Sequence, residues 1–125
     1  MNIYRENIIE HYKNPSNEGN LDSYDIHARE NNPLCGDEVE IKIKLNNNKI
    51  KEVKFQGKGC AISLASTDIL LENIKDKSIE EIKNLSNQDV IDLLGIQISG
   101  IRLKCVILPL IALKNGVKEY ERPNS

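Results

Sequence analysis

What this chain lacks narrows its chemistry before anything else. Its three cysteines form no CxxC pair, so finger-like zinc binding, which draws its ligands from two close pairs, is excluded. With only two histidines, His11 and His27, there is little from which to build a Cys–His catalytic pair. No Gly-rich phosphate loop, paired catalytic carboxylates or Ser/His/Asp pattern occurs. No apolar run approaches the roughly 18 residues of a spanning helix, so no membrane association is expected. Basic residues number 17 and acidic ones 19; this balance gives no global electrostatic case for nucleic acid or an anionic membrane. The opening Met1-Asn-Ile-Tyr-Arg-Glu-Asn lacks the basic-then-apolar layout of a signal peptide, and a cytoplasmic location is the expectation. There cysteines stay reduced, and an odd number of them also argues against a disulfide framework. Thiols available for metal or sulfur chemistry are what remain.

The chain of 125 residues is read as one domain, 1–125, able to bury a core without metal or disulfide help. Ile3, Ile8, Ile9 and Tyr12 predict a short helix that ends before Pro15. The polar stretch 13–32 reads as long and irregular, with a short strand around Tyr24 to Ala28. Val39-Glu-Ile41-Lys-Ile43-Lys-Leu45 alternates strictly, as a strand with one buried face does. Asn46-Asn-Asn-Lys49 supplies a turn, and Ile50 to Phe55 returns as the second strand of a hairpin. After Gly57 and Gly59 the period changes to helical through Ile62, Leu64, Ala65, Ile69, Leu70 and Ile74. A further helical pattern covers Ile79 to Leu94, with Ser78 and Ser86 as caps. The last element, Ile101 to Leu113, is expected to close at Asn115-Gly116. Pro109 within it predicts either a start near Lys104 or a kink, because an interior proline removes a helical hydrogen bond. The fold class is α+β: a small antiparallel sheet of about three strands with helices packed on one face.

Each cysteine occupies a different polar setting. Cys35 lies in a loop between Pro33 and Gly36, with Asp37 two residues on and able to share a metal if the strand begins there. Cys60 follows Gly57-Lys-Gly59 at a strand-to-helix junction, where amide N–H groups and the helix dipole stabilise a thiolate. The two glycines mark a close backbone approach, to a cluster or to a partner. Cys105 stands beside Arg102 and Lys104, cations that lower a thiol pKa and balance an anionic site. The alternative for each is a buried cysteine acting as a small hydrophobe, and for the cations a solvated basic edge. His11 and His27 read as surface or packing histidines. Three thiols and a carboxylate form a donor set for zinc, copper(I) or an iron–sulfur centre. Because single cysteines from separate elements assemble it, such a site can stay open at its rim, which suits a transiently held metal.

Taken together, His11-Tyr-Lys-Asn-Pro15-Ser-Asn17-Glu-Gly19, Asn32-Pro-Leu-Cys35-Gly-Asp37, Phe55-Gln-Gly57-Lys-Gly59-Cys60-Ala-Ile-Ser63-Leu-Ala-Ser66 and the Cys105 segment resemble the U-type iron–sulfur cluster scaffolds. That family comprises IscU, SufU and the amino-terminal domain of NifU. The resemblance implies an IscU-like fold and a scaffold that is a carrier rather than an enzyme. On it a transient [2Fe–2S] cluster is built from iron and persulfide sulfur, then handed to iron–sulfur acceptor proteins. The sulfur donor would be a cysteine desulfurase. By motif position Cys35, Cys60 and Cys105 would be ligands and persulfide acceptors. Asp37 would be the neighbouring carboxylate, linked in the family to cluster release. Family members also bind zinc there.

Departures from the family pattern set a second reading beside the first. Isc scaffolds carry histidine where Lys104 stands, whereas SufU-like proteins share the Arg102-x-Lys104-Cys105 pattern. That favours a zinc-dependent sulfurtransferase, in which Cys35 or Cys60 leaves the zinc to accept sulfur. Against it, the insertion usual in SufU between the second and third cysteines is missing. The stretch that Isc scaffolds offer to an Hsp70-type chaperone is replaced by Ile98-Ser-Gly-Ile-Arg102, so chaperone-assisted transfer does not carry over. A zinc-stabilised interaction domain without turnover is the third reading.

Overall fold

The computed structural model describes residues 3–33, 36–98 and 100–122, with Ile101 by its backbone alone. Its sheet has three strands in the order β1-β2-β3, all antiparallel: β1 (Ile26–Asn32), β2 (Asp37–Asn46) and β3 (Lys49–Lys58). The helices are α1 (Ile3–Lys13), α2 (Ala61–Ile74), α3 (Ile79–Lys83), α4 (Asn87–Leu94) and α5 (Ile101–Glu121). This is the expected α+β plan. No helix among the described residues is long and apolar enough to cross a membrane.

The central strand obeys the period-two rule, with Val39, Ile41 and Ile43 buried and Glu38, Glu40, Lys42 and Lys44 on the opposite face. Asn47 and Asn48, both at positive φ (55° and 63°), form the two-residue turn to β3, a conformation that asparagine tolerates better than most residues. A register shift follows between Lys44 and Leu45, so Leu45 faces Ile50 while Lys44 faces Glu52. That bulge re-phases the strand and lets Ile50 as well as Val53 and Phe55 point inward. Against this inner face lie α2, through Ala65, Leu70 and Ile74, and α5, through Val106, Leu110 and Leu113.

Three expectations need correcting. Residues 26–32 form a full strand rather than mostly irregular chain; only Ile26 and Ala28 carry its apolar signal, and pairing with β2 supplies the rest. The last helix does not stop at Asn115-Gly116 but continues to Glu121. Gly116 is a packing glycine: a Cβ there would sit 2.9 Å from Ala28 Cβ and 3.0 Å from Ile26 Cγ2, so its absence lets α5 lie close on β1. The helix also starts at Ile101, not near Lys104, leaving buried Pro109 well inside it. The missing N–H at Pro109 is the one that would have reached the Cys105 carbonyl in the helical ladder. Ser78 and Ser86 do cap α3 and α4, and Asp89 completes a capping box with Ser86.

The outer edge of β3 is covered. Phe55 N–H donates to the Asn17 carbonyl, and Gly19 N–H donates to the Phe55 carbonyl, at 2.8 and 2.9 Å. The same segment is anchored from below by Asp68 of α2, which is fully buried. Asp68 Oδ1 accepts from Asn17 N–H (2.8 Å) and Nδ2 (3.1 Å), while Oδ2 accepts from Ser16 N–H (3.1 Å) and meets His11 Nδ1. Asn17 Nδ2 also bonds Glu72, and this bond, with one from Lys75, holds the Glu72 carboxyl below the usual range.

Two outcomes follow. Gly116→Val should lower stability by about 1–3 kcal/mol through overpacking against β1, read as a lower urea midpoint; an unchanged midpoint would mean α5 does not lie this close. Asp89, held low first by the Ser86 backbone N–H, should support α4 at all pH values above the normal Asp range. That support should be lost only as pH falls below about 4, through the depressed folded-state value. Amide chemical shifts of α4 followed from pH 7 to pH 2 would show it.

Candidate metal centre

Three element ends meet at one corner of the sheet. Asp37 is the first residue of β2, Cys60 is the N-cap of α2, and Cys105 lies in the second turn of α5. One ligand atom from each, a carboxylate oxygen and two sulfurs, fall within 4.8 Å of one another. Asp37 and Cys105 are buried, at 1% and 4% exposure, whereas Cys60 is exposed. The cluster is therefore closed on its protein side and open at one thiol.

The carboxylate divides its two oxygens. Oδ1 accepts the Cys60 backbone N–H at 3.2 Å, tying the start of β2 to the start of α2. Oδ2 is buried and has no hydrogen-bond partner among the described residues. A buried acceptor left unmade costs free energy on the order of 1–3 kcal/mol, and a charged one more. A cation bonded to Oδ2 would remove that cost. The donors are soft sulfur and one hard oxygen, a set suited to zinc or iron rather than magnesium or calcium. Cys60 Sγ in turn accepts the Ser63 N–H at 3.4 Å, so the helix N-terminus faces the sulfur with a donor and its positive dipole end.

Of the residues singled out from sequence, Asp37, Cys60 and Cys105 are brought together. Cys35 lies outside the described residues, as does Ser99 in the stretch 98–102. Arg102 and Lys104 are exposed at the start of α5. Neither histidine belongs to the cluster. His11 packs on Asp68, and His27 meets Glu40 at 2.6 Å on the solvent face of the sheet. That hydrogen bond, reinforced by Arg29, holds the Glu40 carboxyl below its usual range. Within the chain, the close approach marked by the glycines is to the start of β2. A Cβ at Gly57 would meet the Glu38 carbonyl, and one at Gly59 the Asp37 carboxylate. The reading along the chain missed Asp68. Its signal was a carboxylate on the apolar face of the helix through Leu64, Ala65 and Leu71.

The family model described as "NifU-like N terminal domain" matches residues 3–125. The Bacillus subtilis protein named zinc-dependent sulfurtransferase SufU is 37% identical, with 98% of this chain and 94% of that protein covered. Its 139 aligned positions exceed the 125 residues present here, so it carries sequence that this chain lacks. The Drosophila melanogaster iron–sulfur cluster assembly enzyme IscU is 36% identical, over 95% of this chain and 79% of its own. A crystal structure described as a SUF-system assembly scaffold from Fervidobacterium islandicum superposes with a TM-score of 0.76. That pair is 28% identical, and the match covers 90% of this chain and 94% of the other. With the motifs, the sheet-and-helix plan and the Asp/Cys/Cys corner all in agreement, the chain belongs to the NifU-like N-terminal domain family of iron–sulfur scaffold proteins.

Proposed function

We propose that this protein is a scaffold on which a transient [2Fe–2S] cluster is assembled and from which it passes to acceptor proteins. The observation that carries the reading is the corner itself: a buried thiol, an exposed thiol and a buried carboxylate oxygen without a hydrogen-bond partner among the described residues. Cys35, by motif position, is the third thiolate. Thiolates are the common ligands of iron–sulfur clusters, and an exposed one gives cargo a way in and out.

Sulfur enters at Cys60. Its thiolate attacks the outer sulfur of a persulfide carried by a cysteine desulfurase; the S–S bond breaks, the donor thiolate leaves, and Cys60 holds the new persulfide. Reduction of that sulfur to sulfide takes two electrons, supplied by an external reductant. Cys105, buried beneath, serves as ligand first. Asp37 supplies the weaker oxygen bond through Oδ2, which makes the site releasable.

A second reading, a zinc-dependent sulfurtransferase, is favoured by the compactness of the corner. Zinc–thiolate bonds of about 2.3 Å in a tetrahedron hold ligand atoms about 4 Å apart, and the three donor atoms within 4.8 Å nearly meet that spacing. The relative named for this activity aligns over 98% of this chain at 37% identity. Both readings use the same side chains and differ in what leaves the site.

Anaerobic incubation with ferrous iron, cysteine and a desulfurase, followed by desalting, separates them. The scaffold reading expects near-equal iron and acid-labile sulfide with the visible absorption of a [2Fe–2S] centre. Retained zinc without labile sulfide, together with faster desulfurase turnover, would replace it with the sulfurtransferase reading. Iodoacetamide applied briefly to metal-free protein should label Cys60 well ahead of Cys105, as peptide mass spectrometry would report; equal labelling would refute Cys60 as the entry point. Asp37→Ala should slow the loss of a reconstituted cluster to chelator several-fold, and faster loss would remove Asp37 from the ligand set.

A further inference from the structure

We propose that Gly59 is a positioning residue: its missing side chain is what admits the Asp37 carboxylate to the metal corner. The inference rests on the reading of Asp37 as a ligand. Gly59 has φ +155°, which L side chains seldom adopt, and the space its Cβ would need is taken. An ideal Cβ would lie 2.3 Å from Asp37 Oδ1, 3.0 Å from Cγ and 3.3 Å from Cβ, so the whole carboxylate stands against the bare Cα. This neighbour is not the loose tip of a surface chain. Asp37 is 1% exposed, and its Oδ1 is fixed by the next amide along, the Cys60 N–H.

A methyl group at position 59 therefore cannot be absorbed by a small swing. It pushes directly on the oxygen that receives the Cys60 N–H, and breaking that bond carries the carboxylate away from the two sulfurs. One substitution would remove the oxygen donor and untie the N-cap of α2 from β2, while all three thiols remain. Gly57 differs: its Cβ would strike the Glu38 carbonyl at 2.7 Å, within the β2–β3 ladder, and its next neighbours are Leu64 and Val39 rather than the Asp37 carboxylate. The two glycines of the motif thus divide their work, Gly57 for strand approach and Gly59 for the ligand set. Gly59 in this way decides whether the corner is mixed sulfur–oxygen or sulfur alone, and with it how readily cargo leaves.

The test compares wild type with Gly59→Ala, Asp37→Ala and the double variant. Each is loaded anaerobically with cobalt(II) in place of the native metal, and its ligand-field and sulfur-to-cobalt bands are recorded. Gly59→Ala should give the spectrum of Asp37→Ala, and the double variant should match both. Loss of a reconstituted cluster to chelator should slow several-fold in Gly59→Ala, as in Asp37→Ala. A wild-type cobalt spectrum or faster cluster loss in Gly59→Ala would overturn the proposal. If Asp37→Ala itself leaves the cobalt spectrum unchanged, the reading of Asp37 as a ligand fails, and this inference falls with it. Urea unfolding of the metal-free proteins covers a folding failure: deleting the Asp37 side chain should restore part of the stability that alanine at 59 removes. If the double variant is no more stable than Gly59→Ala, the glycine is needed for its φ alone and the proposal is wrong.

Discussion

The two-residue period of β2 is the constraint on which the corner depends. Val39, Ile41 and Ile43 must face α2 and α5, because that is where the core lies. Counting back by two places Asp37 on the same face, so the strand that builds the core also drives a carboxylate beneath protein. A slip of one residue would bury Glu38 and expose Asp37, and it would undo the core at the same time. The position of the acid is thus enforced by hydrophobic burial far larger than any local preference of the acid itself.

Once there, the carboxylate becomes a joint between elements that share little else at this end. One oxygen binds the N-cap amide of α2, and the other is buried without a hydrogen-bond partner among the described residues. The start of α5 brings Cys105 to the same place, with Pro109 one turn below it. Position and chemistry are coupled in this arrangement: the group that orders the start of α2 also offers the hardest and weakest-binding donor. A site meant to hold its metal permanently would more simply be all sulfur and closed. The exposure of Cys60 and the presence of an oxygen both favour exchange.

Much of this could be read along the chain. Strict alternation in 39–45 set β2, its asparagine turn set the hairpin, and the GKGC block placed Cys60 at a helix start. Asp37 was in reach of the same counting. What stayed hidden depends on contacts between segments distant in sequence. Gly116 looks like a helix stop until β1 is found against it. The strand 26–32 has too few apolar residues to announce itself and exists because β2 offers it a ladder. Gly59 advertises a close approach without naming what approaches. Asp68, a buried carboxylate in α2, is explained only by the amides and imidazole of a segment some fifty residues earlier.

That last feature reaches beyond the metal corner. A three-stranded sheet has two raw edges, each a template on which a foreign strand can grow. Here the edge of β3 is covered at Phe55 by Asn17 and Gly19 and at Ile50 by Asp76 and Lys77, and the first of these covers is anchored by the buried carboxylate of Asp68, which also meets His11 of α1. Guarding against intermolecular strand pairing is therefore not a property of β3 itself. Part of it belongs to a helix residue on the far side of the segment, and an opening at that anchor would bare the Phe55 end of the strand while the Asp37, Cys60 and Cys105 corner was still in place.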